Sequence, residues 1–181
     1  METEKEKKYT INPDHTRSRT RRLVYDALLA GIALVIFWVE LQIPPLTPIP
    51  GIKLGLANVL SLIALFAIGP VDALAVLLVR ILLGGLVFGN PSALLYSLAG
   101  GALSYLVSLM LYKLLRPGQI FICGILCAVA HNVGQIAVAV LITRTPAILL
   151  YFPLLGVSGV VTGLFTGLAA GFAIKTLEKT N

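Results

Sequence analysis

The stretch Pro50-Gly51-Ile52-Lys53-Leu54-Gly55-Leu56-Ala57-Asn58-Val59 joins a proline-rich loop to an apolar segment that is able to enter a membrane. The loop before it, Pro44-Pro45-Leu46-Thr47-Pro48-Ile49, has too many prolines for a regular helix. Within the stretch, Lys53 and Asn58 stand where lipid accommodates neither side chain well. The stretch therefore predicts the point at which an external loop leads into a membrane-embedded helix.

The composition excludes an ordinary soluble domain. Of the 181 residues, 57% are hydrophobic and only 12% are charged, whereas soluble domains have roughly 25% charged residues. A soluble fold of this size has no room to bury so much apolar surface, so we expect an integral membrane protein. Half of the net charge of +6 comes from the N-terminal tail, where seven basic residues stand against four acidic ones. That tail suits anionic lipid headgroups and does not indicate nucleic acid.

Six apolar segments are candidates to cross the bilayer, whose core of about 30 Å needs about 20 helical residues. Each segment ends at proline, glycine or polar residues, and Pro153 with Gly156 indicates a separate turn at the start of the last one. The predicted fold is all-α, a polytopic bundle of six transmembrane helices between a flexible basic tail (1–22) and a C-terminal tail (177–181). The membrane domain is 23–176, with helices at about 23–41, 54–69, 71–88, 92–115, 119–142 and 147–175.

The positions of the basic residues predict the orientation of this bundle, because Lys and Arg are enriched in cytoplasmic segments. With six spans, only Lys53 and Arg144 lie on one side, and Arg80 is within helix 3. We therefore expect a cell-membrane protein with cytoplasmic N- and C-termini and an external 42–53 loop. The other basic residues share the cytoplasmic side: Lys5, Lys7, Lys8, Arg17, Arg19, Arg21, Arg22, Lys113, Arg116, Lys175 and Lys179.

Arg80 and a stripe on helix 5 are the main candidate site residues. An ionised Arg in mid-membrane costs about 2.5–3.5 kcal/mol, so Arg80 needs a protein or water partner. On helix 5, His131 and Gln135 lie on one face with Asn132 beside them. At 1.5 Å per residue, Arg80 and His131 differ in depth by about 6 Å, so they are predicted to share one cavity. The alternatives are a ligand pocket or proton relay, and an interhelical hydrogen-bond network.

Other patterns concern packing rather than chemistry. Cys123 and Cys127 precede His131 on the same stripe, but further metal ligands are missing, so no metal site is predicted. On helix 1, Ala27 and Gly31 have the spacing of a small-residue seam, which suits either internal packing or docking of another membrane protein. A glycine ridge on helix 6 predicts close helix packing: Gly159, Gly163, Gly167 and Gly171.

Four motifs together resemble the Gx transporter family, whose members are often labelled heptaprenyl diphosphate synthase component I. The resemblance covers about residues 23–175. That family is in turn similar to the substrate-binding S-components of energy-coupling factor (ECF) vitamin transporters. The matching positions are the run Gly51–Asn58, Arg80 with Gly84-Gly85, the run Tyr96–Gly101, and the run His131–Gln135.

The resemblance implies a membrane protein that binds a small molecule under the loop between helices 1 and 2. Ala27 and Gly31 would dock on a membrane coupling protein driven by paired ATPases. The substrate would be a vitamin, a flavin, or an isoprenoid- or quinone-related compound. The implied ligand-binding residues are Arg80, His131, Asn132 and Gln135 along the cavity, with Asn58 and Lys53 at its entrance.

The synthase label itself finds no support in the residues. Asp14, Asp26 and Asp72 are isolated, so the aspartate-rich motifs of prenyl diphosphate synthases are missing, and there is no Walker A sequence. We therefore expect a protein that is not an enzyme and that relies on a partner for ATP hydrolysis. Two alternatives remain. One is a subunit of a quinone- or flavin-linked extracellular electron transfer system, with a flavin-binding redox partner and a flavin or quinone cofactor. The other is a non-catalytic partner of prenyl diphosphate or menaquinone synthesis.

Overall fold

A computed structural model describes residues 19–44, 53–88, 91–115 and 117–180, and every regular element in these ranges is helical. Short 3-10 turns at Pro117–Gln119 and Pro146–Tyr151 precede the last two helices. Residues 1–18 and most of the 42–53 loop lie outside the described residues. The helices are α1 (Arg19–Glu40), α2 (Asn58–Ala67), α3 (Pro70–Phe88), α4 (Pro91–Leu114), α5 (Ile120–Thr143) and α6 (Phe152–Thr180).

Prolines determine where several of these helices begin. Pro70 and Pro91 open α3 and α4, because the first turn of a helix does not use the N–H that proline lacks. The separate turn expected before the last helix is the 3-10 turn Pro146–Tyr151, and Pro153 then lies in the first turn of α6. The bounds of α3, α4 and α5 agree with the predicted ones to within one residue. Larger differences occur at α2, at the start of α1 and at both ends of α6.

Five of the described helices are long and apolar enough to cross a membrane, namely α1, α3, α4, α5 and α6 with its preceding 3-10 turn. The exception is α2, whose ten residues extend only about 15 Å. It is shorter than the predicted 54–69 because Gly55, at φ 76°, turns the backbone before the helix begins at Asn58. The prediction of an all-α membrane protein is confirmed, with five full-length helices and one short helix.

The short helix α2 lies at the centre of the bundle. It packs against α1, α3, α4, α5 and α6, and the rings of Phe66 on α2 and Tyr112 on α4 meet edge to face, with centroids 5.4 Å apart. A helix buried on nearly all sides is expected to be apolar all round, and only its first residue is strongly polar within the buried set. The buried residues are Asn58, Val59, Leu60, Leu62, Ala64, Leu65, Phe66 and Ala67.

The seam between α5 and α6 is formed by glycine on both helices. A Cβ added to Gly163 would lie 2.6 Å from the carbonyl oxygen of Gly124 and 2.6 Å from the Cα of Ile125. Gly167 is equally close to Phe121, at 2.6 Å from its Cα. Gly171 is different, since its added Cβ would only reach ordinary contact with Ile120. The two backbones therefore touch along the middle of the seam, which allows little tolerance for side chains there.

At the end of the bundle where α1 begins, an ion pair ties α1 to α3. Arg22 donates from Nε to Oδ1 of Asp72 at 3.2 Å and from Nη2 to Oδ2 at 2.5 Å. Asp26 stands beside Asp72, so two aspartates that are isolated in the sequence are neighbours in the fold. Both carboxylates are next to Arg22, and they do not form an aspartate-rich motif.

Candidate functional site

The site is built around the segment that connects the 42–53 loop to α2. Gly55 has a φ of 76°, a conformation that favours glycine, and its N–H donates to Glu40 Oε1 at 2.5 Å. A Cβ at this position would lie 2.9 Å from Asn58 Nδ2 and 2.9 Å from His131 Cδ2. Both the backbone angle and the surrounding side chains therefore require glycine here, and the backbone of Gly55 brings α1, α2 and α5 together.

Arg80 is 2% exposed and reaches from α3 to the start of α2. Its Nη2 donates to Asn58 Oδ1 at 2.8 Å. This contact explains why a polar residue opens an otherwise apolar central helix. A buried guanidinium needs hydrogen-bond acceptors in place of water, and Asn58 supplies one of them.

Lys53 makes contacts within the site through both its main chain and its side chain. Its N–H donates to Gln135 Oε1 at 3.3 Å, and its Nζ lies 3.7 Å from the centroid of the Phe37 ring, a cation–π contact. Burial lowers the pKa of Lys53 to about 8; the charge of Glu40 opposes this shift, and that of Arg80 adds to it. The ammonium group of Lys53 is buried, and the charges of Glu40 and Arg80 both act on it.

The three residues predicted on α5 do not all face the same way. His131 and Gln135 are buried, and His131 lies against Gly100 of α4, where an added Cβ would be 2.8 Å from the imidazole Nδ1. Asn132 turns towards α6 instead and donates from Nδ2 to the Leu155 carbonyl at 2.7 Å. Five predicted residues, together with Glu40, form what we call the polar cluster: Glu40, Lys53, Asn58, Arg80, His131 and Gln135.

Glu40 is a site residue that the predicted ligand-binding set does not contain. It lies at the end of α1, where solvation at a membrane surface is the simplest expectation, yet the fold leaves it only 4% exposed. Its Oε1 accepts from Gly55, while Arg80 and Lys53 act on it electrostatically. A signal was present, because Glu40 is the only acidic residue between Asp26 and Asp72.

Several buried polar atoms of the polar cluster have no hydrogen-bond partner among the described residues. Each such atom costs about 1–3 kcal/mol if it stays unsatisfied, and such atoms are rare in native proteins. Because they are concentrated in one place, their hydrogen-bond partners have to be water or a bound molecule from outside the described residues. They include Glu40 Oε2, Lys53 Nζ, Asn58 Nδ2, Arg80 Nε and Gln135 Nε2.

The two cysteines and the serines near Asn58 lie deeper in the bundle. Cys123 and Cys127 are buried, with their Sγ atoms 3.7 Å apart. In the part of the chain that the structure describes, no three His, Cys, Asp or Glu side chains are grouped as metal ligands. A cavity of about 10 Å³, enough for about one water molecule, adjoins the polar cluster. Its polar lining is Asn58, Ser61, Ser104, Tyr105 and Ser108.

The small-residue seam of α1 faces away from the bundle. Ala27 and Gly31 are both exposed, and a Cβ added to Gly31 would meet no atom within 4 Å. Internal packing is one of the two alternatives for these residues. It would require a neighbouring helix within contact distance of Gly31, and none is there. The seam is open to lipid or to another membrane helix.

Comparisons with known proteins agree with this architecture. The family model described as heptaprenyl diphosphate synthase component I matches residues 29–173. The chain is 31% identical over 147 residues to the riboflavin transporter RibU of Staphylococcus aureus (strain TCH60), covering 81% of this chain and 71% of that protein. It also resembles a solved structure titled "Structure and mechanism of the S component of a bacterial ECF transporter". The TM-score is 0.56 at 26% identity, covering 89% of this chain and 95% of the other.

Proposed function

The chain belongs to the heptaprenyl diphosphate synthase component I family, and from this premise we propose that it is the substrate-binding membrane component of a small-molecule uptake system. It binds its ligand at the polar cluster, beneath the loop between α1 and α2. A separate partner supplies the energy. The relatives are transport proteins by name, which agrees with the prediction that the chain is not an enzyme in spite of its family's synthase description.

One observation carries this proposal, namely the unpartnered polar atoms of the buried polar cluster. A purely structural hydrogen-bond network would pair its members, because unsatisfied buried groups weaken a fold. Here four helices and the segment before α2 converge on one place and leave donors and acceptors unused. Predominantly apolar surroundings with a few convergent polar groups are typical of small-molecule sites.

The first test is mass spectrometry of small molecules that co-purify with the detergent-solubilised protein. We expect one compound to be enriched and to rebind to the emptied protein with a stoichiometry near one. The control is the Gly55→Val variant, in which the added side chain meets Asn58 and His131, so the same compound should be depleted. A parent protein that carries no specific compound and binds none of the host's metabolites would overturn the proposal.

The exposed seam of α1 is the part that we assign to the energising partner. In membranes, small residues allow two helices to approach closely, and a bulky side chain keeps them apart. Ala27 and Gly31 supply such a surface without any role in internal contacts. The proposed orientation puts both termini, and hence the Arg22 end of α1, in the cytoplasm, on the side where ATPases act.

We expect Gly31→Leu to leave ligand binding unchanged but to lower uptake of the co-purified compound by intact cells at least about tenfold, because Leu separates packed helices. The monomer should be unaffected, since nothing lies within 4 Å of the added Cβ. Ala102→Leu is the matched control, because Ala102 is also an exposed small residue, but on α4. Full uptake by Gly31→Leu, or equal loss by both variants, would contradict the docking assignment.

The same purified protein distinguishes the electron-transfer alternative from a transport function. A redox subunit retains a flavin or quinone through purification, and an added quinol reduces this bound group. A transport component releases its ligand without a change of redox state. Protein that shows no flavin or quinone absorbance counts against the redox alternative.

A further inference from the structure

We propose that the ligand of the polar cluster carries an anionic group, a carboxylate or a phosphate, which is held by Arg80 and Lys53. This assignment rests on the proposed binding function and narrows its substrate class. It also excludes a carrier of neutral compounds, because a neutral ligand would leave the positive charge of the site unbalanced.

The charges of the polar cluster do not balance within the protein. Arg80 and Lys53 are both basic, and Glu40 is the only acidic member. Arg80 is 2% exposed, and the Lys53 Nζ is buried without a hydrogen-bond partner among the described residues. A buried cation is stable when it is paired. One carboxylate shared by two cations leaves one positive charge to be neutralised from outside.

Neither the external loop nor the helices that form the polar cluster supply a further acid close to it. Residues 45–52, which complete the external loop, read Pro-Leu-Thr-Pro-Ile-Pro-Gly-Ile and contain neither Asp nor Glu. No acidic residue lies between Asp72 and Glu178. Asp26 is fourteen residues from Glu40 along α1, a distance of about 21 Å, and Asp72 is engaged by Arg22. The remaining acids, in the N-terminal tail and at Glu178, are cytoplasmic in the proposed orientation, so the negative charge that balances the polar cluster has to come from another molecule.

The unpartnered donors also match an anion in their chemistry. Arg80 Nε, Asn58 Nδ2, Gln135 Nε2 and Lys53 Nζ are all N–H donors, and carboxylate and phosphate oxygens accept several such bonds at once. Deprotonation of Lys53 is not an adequate substitute, because its pKa of about 8 leaves it mostly charged at pH 7. The Phe37 ring adds a contact to Lys53 but no neutralising charge.

The test compares riboflavin with riboflavin 5′-phosphate, which share one ring system and differ by an anionic group, in titrations of the emptied protein at pH 7. Inorganic phosphate and acetate serve as competitors and, alone, as stabilisers in thermal unfolding. We expect the phosphorylated flavin to bind at least about tenfold more tightly, as charge-assisted hydrogen bonds imply. Phosphate or acetate should compete with it, and the stronger competitor identifies the anionic group.

Two variants assign the effect to the site. Lys53→Gln should abolish the preference for the phosphorylated flavin, so that the two flavins bind the variant with equal affinity. Arg144→Gln removes a positive charge from an exposed residue outside the polar cluster and should change neither affinity. If neither flavin binds, stabilisation by phosphate or acetate that Lys53→Gln removes still supports the assignment.

Equal affinity for the two flavins overturns the anionic group while leaving the proposed binding function intact. The anionic group is also overturned if phosphate and acetate neither compete nor stabilise the protein. The binding function fails on separate grounds, namely the absence of any specific small molecule in the co-purification experiment.

Discussion

Replacement of Arg80 by Gln is expected to weaken ligand binding about 100-fold, which corresponds to about 3 kcal/mol. Loss of one partner from a buried, hydrogen-bonded charge pair typically costs 2–5 kcal/mol. Arg80 is the most deeply buried cation of the polar cluster. Gln keeps a polar N–H donor at this position without the charge, so the bundle should still form. Isothermal titration of the emptied variant with the co-purified compound measures the change.

The same experiment separates a binding role from a structural one. If Arg80 serves only to pair with Asn58, the variant will unfold at a lower temperature and still bind the ligand as tightly as the parent. A binding role predicts the reverse, with a folded monomer in size-exclusion chromatography and lost affinity. Arg144→Gln, which changes the net charge equally at an exposed residue, should match the parent in both measurements.

Replacement of Gly163 by Val is expected to be strongly destabilising although Gly163 lies outside the site. The added Cβ would lie 2.6 Å from backbone atoms of Gly124 and Ile125, and backbone cannot move aside as a flexible side chain can. Overpacking costs about 1–3 kcal/mol or more, which for a chain of this size lowers the melting temperature by about 2–12 °C. Thermal unfolding in detergent, followed by loss of monodisperse protein, reports the change.

Gly156→Val is the matched control, because Gly156 is on the same helix and a Cβ there would meet no atom within 4 Å. It shares the helix-propensity cost of a β-branched residue without the collision. Gly163→Val should therefore be clearly less stable than Gly156→Val. Equal melting temperatures would show that the contact of α5 with α6 is not as close as the structure has it.

The sequence was sufficient for the fold class because the relevant signals are local. Apolar segments of about 20 residues, each ended by proline or glycine, predict membrane helices, and five of them appear as expected. The short α2 was predicted less well. Its start depends on a positive φ at Gly55 and on a bond from Gly55 to Glu40, and that bond joins residues fifteen positions apart.

The site was predicted in part, for a similar reason. Arg80 and His131 were expected at similar depth, since depth follows from counting residues along a helix. The rotation of Asn132 towards Leu155 and the burial of Glu40 depend on how helices pack against one another. Residue spacing within one helix does not contain that information. The sequence signal for Glu40 is the distribution of charge along the whole chain, since no other acidic residue lies between Asp26 and Asp72.

The two contacts that fasten α1 have a mechanical consequence. Arg22 ties one end of the helix to α3, and Glu40 ties the other end to the segment that precedes α2. The 22 residues of α1 form one continuous helix of about 33 Å that contains both contacts. The exposed seam of α1 lies between these two contacts. A partner that tilts the Arg22 end of α1 would also displace its Glu40 end. The segment before α2, which Glu40 holds at the entrance to the polar cluster, would move with it.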